Sequence, residues 1–228
     1  MTCLYHGLAS TGIWAELAAL GINAHFLPSV VVGLGVGLAQ PCFGSTIAIK
    51  RRALAEIGGF IGVADCLADD YALGAALRAR GHRIAVSRVT IGHVCAEMSA
   101  RELWQHEVRW GRTIRSIDPV GYVGSVLTHA FPLALVAALT GLLAQSPTLM
   151  VGAGLAIAAF GCRLVLLRQV ERTFALPRQS YWLIGPRDLL SFAVFVSSLF
   201  GRNARWKGRR YSFRSGGTLV VAGSSSTP

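Results

Sequence analysis

The sequence predicts a mixed α/β domain followed by membrane-spanning α-helices. Three observations carry that expectation. Hydrophobic residues make up 53% of the 228-residue chain and charged residues only 14%, with a mean hydropathy of +0.50; a soluble domain has about 25% charged residues. Short strand-like segments alternate with helix-like ones up to about residue 120, and the two runs long enough to span a bilayer come after it. The net charge is +11, almost all of it arginine placed beside apolar segments. That sign suits anionic lipid, a phosphorylated substrate or nucleic acid. The arginines do not line an aromatic-studded soluble face, so lipid headgroups and a phosphate-bearing substrate are expected, and no nucleic acid.

Three regions follow: an α/β part over 1–120, a membrane region over 121–203 and a basic tail over 204–228. Met1 to Tyr5 reads as a strand. Ser10 or Thr11 can cap a helix from Ile13 to Leu20, ended by Gly21. Residues 27–40 are apolar but too few for an ordinary span and carry Gly33, Gly35 and Gly37, which reads as a buried or interfacial helix. Thr46 to Ile49 has strand character, and a short helix from Arg51 stops at Gly58-Gly59. A helix starts at Asp69 or Asp70 and ends at Gly81. Arg83 to Ile91 alternates as a strand, and a helix covers Ser99 to Ser116, opened by Ser99 and Glu102 as a capping box.

The membrane region opens with Val123 to Ala144, 22 residues without formal charge, in which His129 alone can titrate. After the turn Gln145-Ser146-Pro147 a second span covers 148–167. Arginines before the first span and after the second place both outer ends on the cytoplasmic side. Residues 181–201 are expected to be a pair of short interfacial or re-entrant helices, because a full crossing would put the basic tail on the far side. Residues 216–228, rich in Gly and Ser, read as a loose end. The five cysteines (Cys3, Cys42, Cys66, Cys95, Cys162) show neither a CxxC pair nor metal-ligand spacing, so no metal site is expected from them.

Two stretches could carry chemistry. Asp69-Asp70-Tyr71 puts tandem carboxylates at a helix start, where they either complement the helix dipole or work on a substrate. His106, Arg109 and Trp110 in His106-Glu107-Val108-Arg109-Trp110 stand at i, i+3 and i+4 and share a helix face. A guanidinium beside an indole suits a diphosphate; the same face would equally suit a juxtamembrane helix resting on lipid headgroups.

These stretches, in this order, resemble the membrane-bound inverting glycosyltransferases, in particular the ceramide glucosyltransferase family and its bacterial relatives such as the hopanoid-biosynthesis glycosyltransferase. Asp69-Asp70-Tyr71 is similar to the family's acidic motif, where Glu-Asp is commoner. His106 to Trp110 is similar to its Gln/Arg-x-x-Arg-Trp motif with His in first place. Phe43-Gly44-Ser45, Lys50-Arg51-Arg52 and Gly58-Gly59-Phe60 match the stretch leading to the acidic motif, and Trp206-Lys207-Gly208-Arg209-Arg210-Tyr211 the basic tail. The resemblance implies the C-terminal part of a GT-A-type domain on the cytoplasmic face of the inner (cell) membrane, followed by transmembrane helices. It implies transfer of glucose or N-acetylglucosamine from a UDP-sugar to a lipid hydroxyl, on ceramide or a hopanoid. Asp70 would be the general base, supported by Asp69 and Tyr71. His106, Arg109 and Trp110 would hold the donor diphosphate, and Phe43, Gly44 and Ser45 would line the acceptor entrance.

The resemblance also implies a divalent metal, Mg or Mn, on an Asp-x-Asp motif ahead of the strand with which this chain opens. No Asp-x-Asp occurs in the sequence. The expectation is therefore a truncated copy, inactive alone; UDP release by the purified 228-residue chain with an acceptor and Mg or Mn would refute it. Two other readings remain open: a non-catalytic membrane remnant, and a polysaccharide synthase of the cellulose or chitin type, which would want more membrane helices than are found here.

Overall fold

The computed structural model describes residues 1–201 except 41, 65 and 67, and in the tail only the backbone of 203–206, 209–213 and 219–221. Strand β1 (Tyr5–Ala9) pairs in parallel with β2 (Ile91–Cys95), Tyr5 opposite Ile91 and Ala9 opposite Cys95. The strands expected at 46–49 and 83–91 shrink to one bridge each, Ile47 and Val86 both meeting Thr2. Thr2 is fully buried, and its hydroxyl donates toward the carbonyls of Phe43 and Thr46 and accepts the Phe43 N–H. The chain is thus pinned at one residue there, and the continuous ladder forms further along, where β1 and β2 run in register.

Helix α1 (Ile13–Gly21), a π-turn (Ile22–Phe26) and α2 (Leu27–Gly35) form one continuous rod. Gly21 does not end it, and Gly12 rather than Ser10 or Thr11 occupies the N-cap. The reason for the π-turn lies in Asn23. Its buried amide accepts the Gly7 N–H at 2.8 Å and donates to the Gly7 carbonyl at 2.9 Å. The widened turn satisfies a β1 edge that would otherwise bury two backbone groups unpaired. Gly7 is required here, since a Cβ at that position would lie 2.7 Å from the Ala19 Cα.

Helices α3 (Arg51–Glu56) and α4 (Asp69–Ala79) lead to β2, and α5 (Ala100–Ile117) follows. The expected cap of α5 forms, with the Ser99 hydroxyl accepting the Glu102 N–H, but Glu102 returns its bond to the Met98 N–H rather than to Ser99. Helix α6 (Pro119–Gly124) is capped by Asp118. Helices α7 (Ala130–Leu143) and α8 (Thr148–Thr173) make a tight hairpin: a Cβ on Gly152 would meet the Ala138 nitrogen at 2.4 Å. The last described helix is α9 (Ile184–Leu199).

Among the described residues, three helical stretches are long and apolar enough to cross a membrane: Ile13–Gly35, Thr148–Thr173 and Tyr181–Leu199. This corrects three expectations. The segment 27–40 is not a separate interfacial helix, because the π-turn joins it to α1. The stretch 123–144 is not a straight span but two helical pieces, Pro119–Thr128 and Ala130–Leu143, bent by 65°. Residues 181–199 run as one helical stretch, not as a re-entrant pair. Arg187 and Asp188 do not interrupt it, because each is buried against an opposite charge: Arg187 on Glu107 and Asp188 on Arg163.

In the tail, β3 (Asn203–Trp206), β4 (Arg209–Phe213) and β5 (Leu219–Val221) form an antiparallel sheet. Residues 219–221 of the expected loose end are therefore a strand, and the rest of that stretch lies outside the described residues. One core ties these parts together: Tyr5, Leu20, Cys95, Leu103, Leu167 and Ile184 bring β1, α1, β2, α5, α8 and α9 to a single apolar centre.

Candidate functional site

The first half of the site is built at the start of α4. Asp69 and Asp70 open the helix. The Asp69 carboxylate accepts the Asp70 N–H at 2.9 Å, so it does the local work of a helix start. Asp70 does something different. One of its oxygens accepts its neighbour Tyr71's N–H at 2.7 Å, and the other accepts the N–H of Gly44, 26 residues away, at 2.8 Å. The close approach needs glycine, because a Cβ on Gly44 would sit 2.9 Å from that oxygen. Burial pushes the Asp70 carboxyl above the usual aspartate range, helped by the charge of Asp69 and opposed by the two backbone N–H groups.

The Phe43-Gly44-Ser45 stretch is bonded to this carboxylate through Gly44. Phe43, held by Thr2, meets Phe26 edge-on with ring centres 6.3 Å apart. Ser45 is exposed, and its carbonyl accepts the Thr46 hydroxyl. Tyr71 is exposed and contributes its backbone N–H.

A residue that the sequence reading passed over stands between this carboxylate and the membrane helices. Tyr5 stacks on Phe26 at 4.9 Å and tilts against His93 at 5.6 Å. Its phenol is pushed far above its usual range by burial, then by the nearby charge of Asp70. It is a neutral hydroxyl beside an aspartate.

The second half lies on α5. His106 and Trp110 share a face, the imidazole meeting the indole edge-on at 4.8 Å. The His106 Nδ1–H donates to Glu97, just past β2, at 2.7 Å. Burial holds Arg109 below the usual guanidinium range, and among the described residues no ion pair or side-chain hydrogen bond engages it. Glu107, the residue between them, binds Arg187 of α9 through both carboxylate oxygens, at 2.6 and 2.7 Å. Arg187 is 4% exposed and also donates to the Leu17 carbonyl and to Ser191. Arg115 closes the far end of α5 onto α9, donating to the Leu199 and Gly201 carbonyls.

Between the α1–α2 rod, α5, α6 and α9 runs a cavity of about 540 Å³. Phe26, Val30, Ile114 and Phe195 give it an apolar wall, and His93, Glu97, His106 and Trp110 line its polar side. His25 and His129, stacked at 5.2 Å from the two sides, line it as well. A cavity of that size, mostly apolar with a few convergent polar groups, suits an amphiphilic ligand. Asp70, Arg109, Phe43, Gly44 and Ser45 are not part of its wall. The structure thus joins Asp70 to Gly44 and His106 to Trp110; ring contacts run from Phe43 through Phe26 and Tyr5 to His93, which lines the same cavity as His106 and Trp110.

Glu97, Arg187 and Tyr5 escaped the sequence reading. An Arg-Asp pair inside an apolar stretch was the available signal for Arg187; Tyr5 and Glu97 carried none. No group of three or more His, Cys, Asp or Glu among the described residues could hold a metal ion. The described residues do not fit the divalent ion that the resemblance implies.

The family model of glycosyl transferase family 21 matches residues 1–219, and the chain belongs to that family. No solved structure matches the chain.

Proposed function

Starting from that membership, we propose that the chain carries the acceptor side of an inverting transfer of a hexose from a UDP-sugar to a lipid hydroxyl at a membrane. Membership in a glycosyltransferase family supports the reaction type, and the helices long and apolar enough to cross a bilayer support a membrane setting. The observation that carries the finer reading is the setting of Asp70. Each of its oxygens accepts one backbone N–H. A carboxylate oxygen has room for about two hydrogen bonds, so the group is fixed in place and still able to accept a hydroxyl proton. Burial raises its basicity, which favours a general base.

In this reading the lipid's apolar part lies along the apolar wall of the cavity beside α5, its hydroxyl reaches Asp70 past Tyr5 and Phe43, and the polar side with His106 and Trp110 is left to the diphosphate. Arg109 stabilises the leaving diphosphate as a cation without a protein partner among the described residues, with His106 and Trp110 beside it. No Asp-x-Asp occurs in this sequence, and the donor contacts proposed here are those of α5. Ceramide and a hopanoid are the two acceptors proposed, and the catalytic part faces the cytoplasm of a bacterial inner membrane.

The test is a transfer assay in membranes that contain the chain. Labelled UDP-glucose and UDP-N-acetylglucosamine are supplied with a lipid extract. Label should enter lipid, and Asp70→Asn should abolish it. Undiminished transfer by the Asn variant would remove Asp70 as the base. No label in lipid from either donor would favour a non-catalytic membrane protein.

A further inference from the structure

We propose that Glu97 is a positioning residue for His106: it fixes the imidazole so that Nε2 alone is offered to a ligand in the cavity beside α5. The inference rests on the reading of the His106–Trp110 face as a diphosphate clamp for its ligand, but not for its geometry. Glu97 lies between β2 and the capping residue of α5, nine positions before His106. Its side chain is 13% exposed and that of His106 is 31% exposed, with Glu97 Oε1 2.7 Å from Nδ1. A carboxylate only accepts, so Nδ1 carries the proton. Trp110 meets the ring edge-on and restricts its rotation.

Nε2 makes no hydrogen bond to another described residue, and His106 lines the cavity. With Nδ1–H given to Glu97, Nε2 is the nitrogen left for the ligand, and it can share a proton with a phosphate oxygen. An imidazole without a carboxylate behind it would be free to turn or change tautomer and would present either nitrogen. The second Glu97 oxygen is buried without a hydrogen-bond partner. Burying that oxygen has a cost, and holding His106 is the return the structure shows for it.

The experiment uses the full chain in detergent, labelled with ¹⁵N-histidine, with the His106 signals assigned from His106→Gln. The expected wild-type spectrum shows a protonated Nδ1 at His106. Glu97→Ala should convert it to a mixture of tautomers, while Glu97→Gln, whose amide oxygen still accepts, should keep Nδ1–H. A bare Nδ1 in the wild type, or a spectrum unmoved by Glu97→Ala, overturns the proposal. UDP binding by calorimetry gives a second arm. Glu97→Ala should weaken UDP about tenfold, the size of one lost charge-assisted hydrogen bond, and should change it less than twofold once His106 is Gln. An equal loss in both backgrounds makes Glu97 merely structural and also overturns the proposal. No UDP binding by the wild type sinks the diphosphate reading of the face, and the histidine spectrum still decides the role of Glu97.

Discussion

Around Asp70 the charge is held by backbone, and around α5 it is held by other side chains. Gly44 and Tyr71 fix the carboxylate with backbone N–H groups, which do not titrate and belong to no side chain. The α5 face is instead set by pairs of side chains: Glu97 on His106, Glu107 of α5 on Arg187 of α9, and alongside them Asp188 of α9 on Arg163 of α8. A backbone cradle leaves lone pairs free for a substrate. A buried ion pair uses its partners up and serves to fix helices against one another. The α4 end is therefore suited to proton transfer and the α5 end to holding a ligand in register, and mutations at the two ends should fail in different ways.

The largest effect should come from Asp70→Asn. Loss of a general base costs roughly 10²–10⁴-fold in rate, so transfer should fall by that factor while the protein stays folded. Asp69→Asn, whose amide oxygen can still accept the next residue's N–H, should change transfer by less than about tenfold, the worth of one hydrogen bond. Equal losses in the two variants would mean that the tandem carboxylates act as a helix start and nothing more.

At the α5 end the damage should be to stability. Arg187→Met leaves Glu107 buried without its partner, and breaking a buried pair from one side costs about 3–5 kcal/mol. Thermal unfolding in detergent should show it. Replacing both partners, Arg187→Met with Glu107→Leu, should recover most of the loss, because no unpaired charge then remains. If the double variant were as unstable as the single one, the bonds of Arg187 to the Leu17 carbonyl and Ser191 would outweigh its ion pair.

The same contrast explains what could be read from the sequence. Asp69-Asp70 and the His106–Trp110 face depend on helix start and helix period, both local, and both form where spacing placed them. The cap by Ser99 is local too. The bond from Gly44 to Asp70 was legible only as two neighbouring motifs of a family, since nothing in the 25 intervening residues encodes their contact. The partners of α5 lie far off in sequence; Glu107 and Arg187 are 80 residues apart, and no periodicity reports such a pair. The π-turn was hidden for a similar reason: Gly21 is a sound stop signal, and it is overridden by Asn23 meeting a strand edge 16 residues earlier. The bend near His129 was missed because hydropathy counts residues without asking whether they share an axis.

A milder change separates the position of the Asp70 carboxylate from its presence. Gly44→Ala keeps every titratable group, but its Cβ would fall 2.9 Å from one Asp70 oxygen. Either the loop or the carboxylate must shift, and the bond from the Gly44 N–H is strained or lost. One hydrogen bond to a charged group is worth about 1.5–3 kcal/mol, so transfer should drop at least about tenfold. Lys50 or Arg51 substituted to Ala, away from that contact, should leave it within about twofold, as surface changes of about ±0.5 kcal/mol do. Wild-type activity in the Gly44 variant would show that the carboxylate tolerates displacement and that the backbone cradle is incidental.

The smallest effect is also the most particular to this site. Burial raises the Asp70 pKa in the folded protein above its unfolded value of about 4. A base must be ionised, so the acid limb of transfer should lie above the ordinary aspartate range, with activity lost as pH falls through the folded pKa. Stability has the opposite sign. Between the unfolded and folded pKa values the native state binds more protons than the unfolded one, so this group's contribution declines as pH rises through that window and is constant below it. Asp70→Asn removes the slope along with the charge. The stability of wild type relative to the Asn variant, followed by denaturant titration at several pH values, should therefore fall with rising pH across the same window that holds the acid limb. A limb at the ordinary value, with parallel stability curves, would place Asp70 in water-like surroundings and move the search for the base to the α5 side of the cavity, where His106 is the nearest candidate.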